Sequence, residues 1–341
     1  MRKLLFFTLF VAIFAIGCSS DTEKEQVVNV YTHRHYEADQ QLFDRFTEVT
    51  GINVNVVSAS ADELIQKLEL EGAGSPADIL ITVDAGRLHR AKEKGLLQAV
   101  ESQTLLQNIP SVYRDPGNQW FGLTSRARVF AYSKERVDPS ELSTYEDLAD
   151  EKWQGKLLIR SSDNIYNQSM LAAIIAAHGE EEAEKWAAAV WKNFARAPKG
   201  GDRDQVKAVA SGEGDVAVVN TYYIGLMLND ANEEERKAAE QVGIFFPNQA
   251  DRGTHINISG AGVTRYAPNK ENAIRFLEFM SDVEAQAKLA NINYEYPVNP
   301  KVPVSDLLNS WGDFKADELN LSILGQNNSA AVRIFDRVGW K

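Results

Sequence analysis

Short β-rich runs alternate with stretches of helical periodicity along nearly the whole chain, and this alternation limits the fold more than any other feature. Residues 27–31 are rich in β formers. Residues 39–49 place Leu42, Phe43, Phe46 and Val49 at helical spacing and stop before Gly51, after which 52–57 alternate like a strand. Residues 61–70 are again helical, and 77–81 form a short apolar run after Ser75-Pro76, as in a strand buried on both faces. A second set begins near Trp120: strands over 129–132, 156–160 and 215–220, helices over 168–178 and 186–194. Further on, 271–281 form a helix with Ala273, Ile274, Leu277 and Met280 on one side. Such alternation predicts α/β layers around mostly parallel sheets.

About 315 residues follow position 26, a length that suits two lobes better than one. With no linker and no repeat between the two sets, the chain is expected to cross from one lobe to the other and return. The crossings are placed near 124–128 and 246–254. This gives a first lobe of 27–125 plus 254–298, a second lobe of 126–253, and C-terminal helices over 299–341 packed on the lobes.

The start of the chain reads as an export signal. Arg2 and Lys3 precede an apolar run from Leu4 to Ile16, shorter than the about 20 residues a membrane span needs. The run ends in Ala15-Ile16-Gly17-Cys18-Ser19-Ser20, which resembles a bacterial lipobox, with a smaller residue than usual at Ala15. The expectation is a lipoprotein-type signal over 1–17, lipidation at Cys18, and a polar tether over 18–26. Cys18 is the only cysteine, which excludes an internal disulfide and a cysteine-based metal cluster. Removing Arg2 and Lys3 takes the net charge from -12 to -14. An acidic surface argues against nucleic-acid binding and mildly favours a cationic ligand.

Enzyme signatures are scarce. There is no nucleophile elbow, no HExxH and no Walker A loop, and the chain is expected not to be an enzyme. Gly212-Glu213-Gly214 precedes a strand, whereas a dinucleotide-binding loop follows one, so it reads as a turn. His33 and His35 form an H-x-H pair that would share one side of an extended segment. They read as surface or turn residues, with metal ligation more open for His35 than for His33.

Four tyrosines stand out by position. Tyr36 follows the first strand; Tyr166 follows the strand at 156–160; Tyr222 and Tyr223 follow the strand at 215–220. All lie beyond carboxyl ends of strands and near helix starts, where open α/β sheets bind ligands. A free phenol titrates near 10, a helix start helps hold the phenolate, and a highly charged cation helps far more. Phenolate oxygen is a hard donor suited to a hard ion such as Fe³⁺. Four phenolates around Fe³⁺ carry one net negative charge, which needs a cation nearby; Arg126 or Arg128 is placed to supply it. Position alone leaves other uses open: a core ring, or an aromatic lining for an organic ligand.

Several stretches carry a more specific signal: Val30-Tyr31 with Arg34-His35-Tyr36; Ser75-Pro76-Ala77-Asp78-Ile79-Leu80; Trp120-Phe121-Gly122-Leu123-Thr124-Ser125-Arg126-Ala127-Arg128; Ile159-Arg160-Ser161-Ser162 with Tyr166-Asn167-Gln168-Ser169; Asn220-Thr221-Tyr222-Tyr223; and Ile258-Ser259-Gly260-Ala261-Gly262-Val263. In this order they resemble the ferric-ion-binding proteins of bacterial ABC importers, above all the FutA or iron-deficiency-induced group, from about Val27 to the C-terminus. The resemblance implies a two-lobed type II periplasmic-binding-protein fold with a hinge, and Fe³⁺ captured outside the cytoplasm for a permease powered by an ATPase. By the same resemblance the tyrosines matching Tyr36, Tyr166, Tyr222 and Tyr223 ligate iron, the first from the opposite lobe. The histidine matching His35 ligates in some members and not in others, and the arginine matching Arg126 is a charge partner beside the metal. A synergistic anion such as carbonate is a further possible component. The location implied is periplasmic or cell-envelope, lipid-anchored through Cys18, as a monomer. The same fold holding an oxyanion, a polyamine or a ferric chelate is the alternative.

Overall fold

The computed structural model describes residues 26–34 and 36–341. The signal segment, Cys18, the tether up to residue 25, and His35 lie outside the described residues. Strand β1 (Val27–Thr32) buries Val28 and Val30, and helix α1 (Glu37–Thr50) lays Leu42, Phe43 and Phe46 onto the core. Gly51, in the left-handed region at φ 71°, ends that helix by donating its N–H to Thr47. Next come β2 (Asn53–Ser58) and α2 (Ala61–Glu71), whose start is closed by reciprocal Ser60–Glu63 hydrogen bonds. Then follow β3 (Ile79–Val83), α3 (Ala85–Glu93) and α4 (Gln103–Asn108).

The long strand β4 (Phe121–Ser133) leads into a second set: β5 (Leu157–Leu158), α5 (Ile165–His178), α6 (Glu180–Lys192), α7 (Asp202–Ala210), β6 (Val216–Asn220), α8 (Thr221–Leu228), α9 (Glu233–Glu240) and β7 (Val242–Phe245). The chain returns through β8 (Ile256–Val263), α10 (Lys270–Met280), α11 (Val283–Asn293) and β9 (Tyr296–Pro297). It finishes with α12 (Asp306–Ser310), α13 (Ser322–Gln326) and α14 (Asn328–Val338).

Hydrogen bonding orders the strands β2-β1-β3-β8-β4-β6-β5, with β7 and β9 each pairing β4 as well. The expectation of mostly parallel sheets is corrected here. Only β1–β2, β1–β3 and β5–β6 are parallel. The pairs β3–β8, β4–β8, β4–β6, β4–β7 and β4–β9 are antiparallel. The cause is the double passage of the chain: an outgoing strand and a returning strand that lie side by side must run in opposite directions. At the junction β4 changes partner, Ala127 facing Ile256 of β8 and Arg128 facing Asn220 of β6. Buried Tyr145 clamps this point, its hydroxyl donating to the Arg128 carbonyl and accepting from the His255 N–H.

Strand β8 was not readable from its own pattern, because it carries two glycines and two polar residues, Asn257 and Ser259. The glycines have a packing reason. A Cβ on Gly260 would sit 2.6 Å from the Phe121 carbonyl oxygen, and one on Gly262 would sit 2.6 Å from that of Gln119. One core cluster joins β1, α1, α10 and α11 through Val28, Phe46 and Phe276; a larger one runs from Leu88 through Val129 and Leu171 to Ile334 and Trp340. Helix α13 packs against both α3 and α5, and α14 against α5 and α6.

Candidate metal centre

Each of the four tyrosines sits at a helix start. Tyr36 is the extended residue that caps α1, with φ -80° and ψ 147°. Tyr166 lies in the first turn of α5, where its N–H donates to the Asn164 side chain that caps the helix. Tyr222 and Tyr223 lie in the first turn of α8, which follows β6 without any loop. Helices α1 and α5 begin earlier than the 39–49 and 168–178 that periodicity indicates, and α8 was not read as a helix; Tyr36 thus caps its helix and the other three tyrosines lie in first turns. Their surroundings therefore carry the partial positive charge of unpaired helix N–H groups.

The structure brings all four together. The Tyr166 and Tyr222 hydroxyl oxygens are 3.3 Å apart. The Tyr222 and Tyr223 rings lie 4.2 Å apart at 31°, and the Tyr36 ring meets that of Tyr222 edge-on at 6.4 Å. Two oxygens on adjacent positions of one ion, each about 2.0–2.1 Å from it, are roughly 2.8–3.4 Å apart. The Tyr166–Tyr222 spacing falls in that interval.

Burial is the leading cause that pushes the Tyr36, Tyr222 and Tyr223 phenols above their ordinary value. For Tyr222 the neighbouring phenols Tyr166, Tyr223 and Tyr36 add to it, because a second negative charge beside the first is unfavourable. These three phenols are thus neutral near pH 7 unless a cation replaces their protons.

Four guanidinium groups stand around the rings: Arg34 at 5.1 Å from the Tyr36 ring centre, and Arg126, Arg128 and Arg160 at 5.7, 5.9 and 5.4 Å from that of Tyr166. Three of them are ion-paired. Arg34 meets Asp39 at 3.0 Å and Glu295 at 3.1 Å; Arg128 and Arg160 share Asp202 at 2.9 and 3.3 Å. Against its burial, Arg34 and Arg126 hold Glu295 below the usual carboxylate range. Arg126, 1 % exposed, forms no ion pair among the described residues. Its Nη1 donates to Ser259 at 3.2 Å, while Nε and Nη2 are buried without an acceptor among them. Of the two arginines proposed from sequence, Arg128 pairs with Asp202, which it shares with Arg160, whereas Arg126 has no ion pair among the described residues.

Sequence reasoning missed Arg34, Arg160, Asp202 and Glu295 as parts of this centre. Arg34 and Arg160 lay within the quoted motifs, but no local pattern marked Asp202 or Glu295. His35 lies outside the described residues, and His33 is half-buried beyond the end of β1. Among the described residues no group of three or more His, Cys, Asp or Glu is placed to hold a metal ion. The tyrosine cluster is therefore the arrangement whose donor set fits one, and it fits a hard, highly charged ion.

Residues 74–316 match the family of bacterial extracellular solute-binding proteins. The chain is 49% identical over 318 residues to Iron uptake protein A1 of Synechocystis sp., covering 93% of this chain and 88% of that one. Its structure is similar to that of Trichodesmium FutA (IdiA) in complex with iron and citrate ligands, with a TM-score of 0.90, 51% identity, and coverage of 92% of this chain and 100% of that one. It is also similar to the ferric binding protein from Campylobacter jejuni, with a TM-score of 0.88, 45% identity, and coverage of 92% and 100%.

Proposed function

The chain belongs to the family of bacterial extracellular solute-binding proteins, and from that premise we propose that its cargo is ferric iron, held by Tyr36, Tyr166, Tyr222 and Tyr223. It has the two-lobed periplasmic-binding-protein fold of its structural neighbours. Its place is that of the solute-capturing component of an ABC importer. In this reading residues 27–125 with 254–298 form one lobe, 126–253 the other, and 299–341 the helices laid over them. Tyr36 comes from the first lobe and the other three tyrosines from the second, so that a hinge at β4 and at the return into β8 closes them on the ion.

The observation that carries the reading is the convergence of hydroxyls from separate helix starts, with Tyr166 and Tyr222 at 3.3 Å, beside the unpaired charge of Arg126. Four phenolates and Fe³⁺ leave one negative charge, and Arg126 offsets it. Arg128 and Arg160 share one carboxylate, so positive charge remains for a synergistic anion such as carbonate, which loading with and without bicarbonate tests. His35 is left as an additional ligand to be tested by substitution. No reaction is performed on the ion; closed protein presents it to a permease driven by an ATPase. The export signal with lipidation at Cys18 would keep a monomer tethered in the cell envelope.

Absorption spectra of the purified protein with and without ferric ion test this. Iron loading is expected to give a visible phenolate-to-iron charge-transfer band. The double change Tyr222→Phe with Tyr223→Phe is expected to abolish band and tight binding while the apo melting temperature is kept. Protein that stays colourless after loading, or a double variant that binds as before, removes the assignment.

A further inference from the structure

We infer that Asp202 is a positioning residue that holds the starts of α5 and α8 together, so that Tyr166, Tyr222 and Tyr223 meet at one point. The inference deepens the ferric reading and rests on it. Asp202 opens α7 and is fully buried. One of its oxygens accepts from the backbone N–H of Asn220, the residue that caps α8, at 2.8 Å, and from Arg128 at 2.9 Å. The other accepts from Arg160 at 3.3 Å.

Each branch ends at a tyrosine. Arg128 donates onward to the Asn167 side-chain oxygen at 2.7 Å, and Asn167 directly follows Tyr166. The Asn167 amide in turn donates to the Arg160 and Ser161 carbonyls at 2.7 and 3.0 Å, which ties down the segment leading into α5. Arg160 lies over the Tyr166 ring at 5.4 Å. One carboxylate thereby joins both segments that carry three of the four tyrosines. Only an ionised carboxylate suits this post. An amide has a single accepting oxygen, and it would leave the buried Arg128 and the half-buried Arg160 without a counter-charge. Ligand sets tolerate displacements of about 0.5 Å at most, so a loosened junction is felt at the ion even though Asp202 does not touch it.

The test uses the full chain loaded from ferric nitrilotriacetate, comparing wild type with Asp202→Asn and, separately, with Asn167→Ala, which cuts one branch only. The charge-transfer band, ferric affinity by competition with the chelator, and apo unfolding are read in parallel. Asp202→Asn is expected to shift or weaken the band and to lower affinity by roughly 10–100-fold. Asn167→Ala is expected to move both in the same direction by less, and it decides alone if Asp202→Asn fails to fold. A purely structural salt bridge would lower the apo melting temperature and leave the band of the folded, loaded protein where it was; that result overturns the inference. A colourless wild type overturns the ferric reading and this inference with it.

Discussion

A phenol that is almost wholly buried beside three others does not ionise on its own, and this fact sets the behaviour of Tyr222. Its proton leaves only when a cation takes its place, so ferric binding releases protons and weakens as pH falls. A separate acid effect resides in the fold. Burial, with Arg128, Arg252 and Arg126 nearby, lowers the His255 imidazole to about 3. The unfolded chain takes up this proton near 6.5, well before the folded protein does, so stability falls as pH drops from there toward 3. Glu146 acts in the same direction lower down. Against burial, Asn248, Arg252 and His178 hold it at about 2, so its contribution is present above the ordinary 4.5 and is lost on the way to 2. Urea unfolding of the apo protein is therefore expected to show a falling midpoint from about pH 7 to about pH 4, with a shallower fall in His255→Asn. An unchanged slope in that variant would contradict the role given to His255. At this scale the tyrosines were legible in the sequence, since strand ends and helix starts can be read from periodicity. The carboxylates were not: Asp202 and Glu295 meet Arg128 and Arg34 across 74 and 261 positions of chain.

Among the elements, β4 and β8 decide the architecture, and they differ in how plainly they show. The region of β4 was visible as a crossing, although the strand proved longer than the four residues its pattern suggested. Strand β8 was hidden because close backbone approach, not side-chain packing, selects its residues. Gly260→Ala tests that reason. With Phe121 O at 2.6 Å and Leu88 Cδ1 at 2.8 Å from the added carbon, the strand must shift. A loss on the order of 1–3 kcal/mol is expected in chemical denaturation. Retained stability would show that β4 and β8 are held less tightly than described. The mostly parallel sheet expected from alternation failed for a related reason: periodicity identifies strands but says nothing of the direction in which a returning strand is laid.

At the scale of the whole molecule, the two strand sets touch at the tyrosines. Tyr36 meets Tyr222 across the two strand sets, and Val83 packs with Ile165 and Tyr166. If phenolate repulsion and burial are relieved by the ion, iron favours this state and the apo protein spends more time open. Small-angle scattering is expected to give a smaller radius of gyration with iron than without, together with a higher melting temperature from ligand linkage. Equal radii would remove the hinge from the account. Two-lobed organisation was legible from length and the absence of linkers, whereas the covering of α3, α5 and α6 by α13 and α14 required the structure, since those short helices carry no signal of their partners. The most direct measurement is a crystal structure of the iron-loaded protein with anomalous data at the iron edge. One ion should appear with the hydroxyl oxygens of Tyr36, Tyr166, Tyr222 and Tyr223 each at about 2.0 Å from it. An ion held elsewhere, or by one or none of these four residues, would contradict the account.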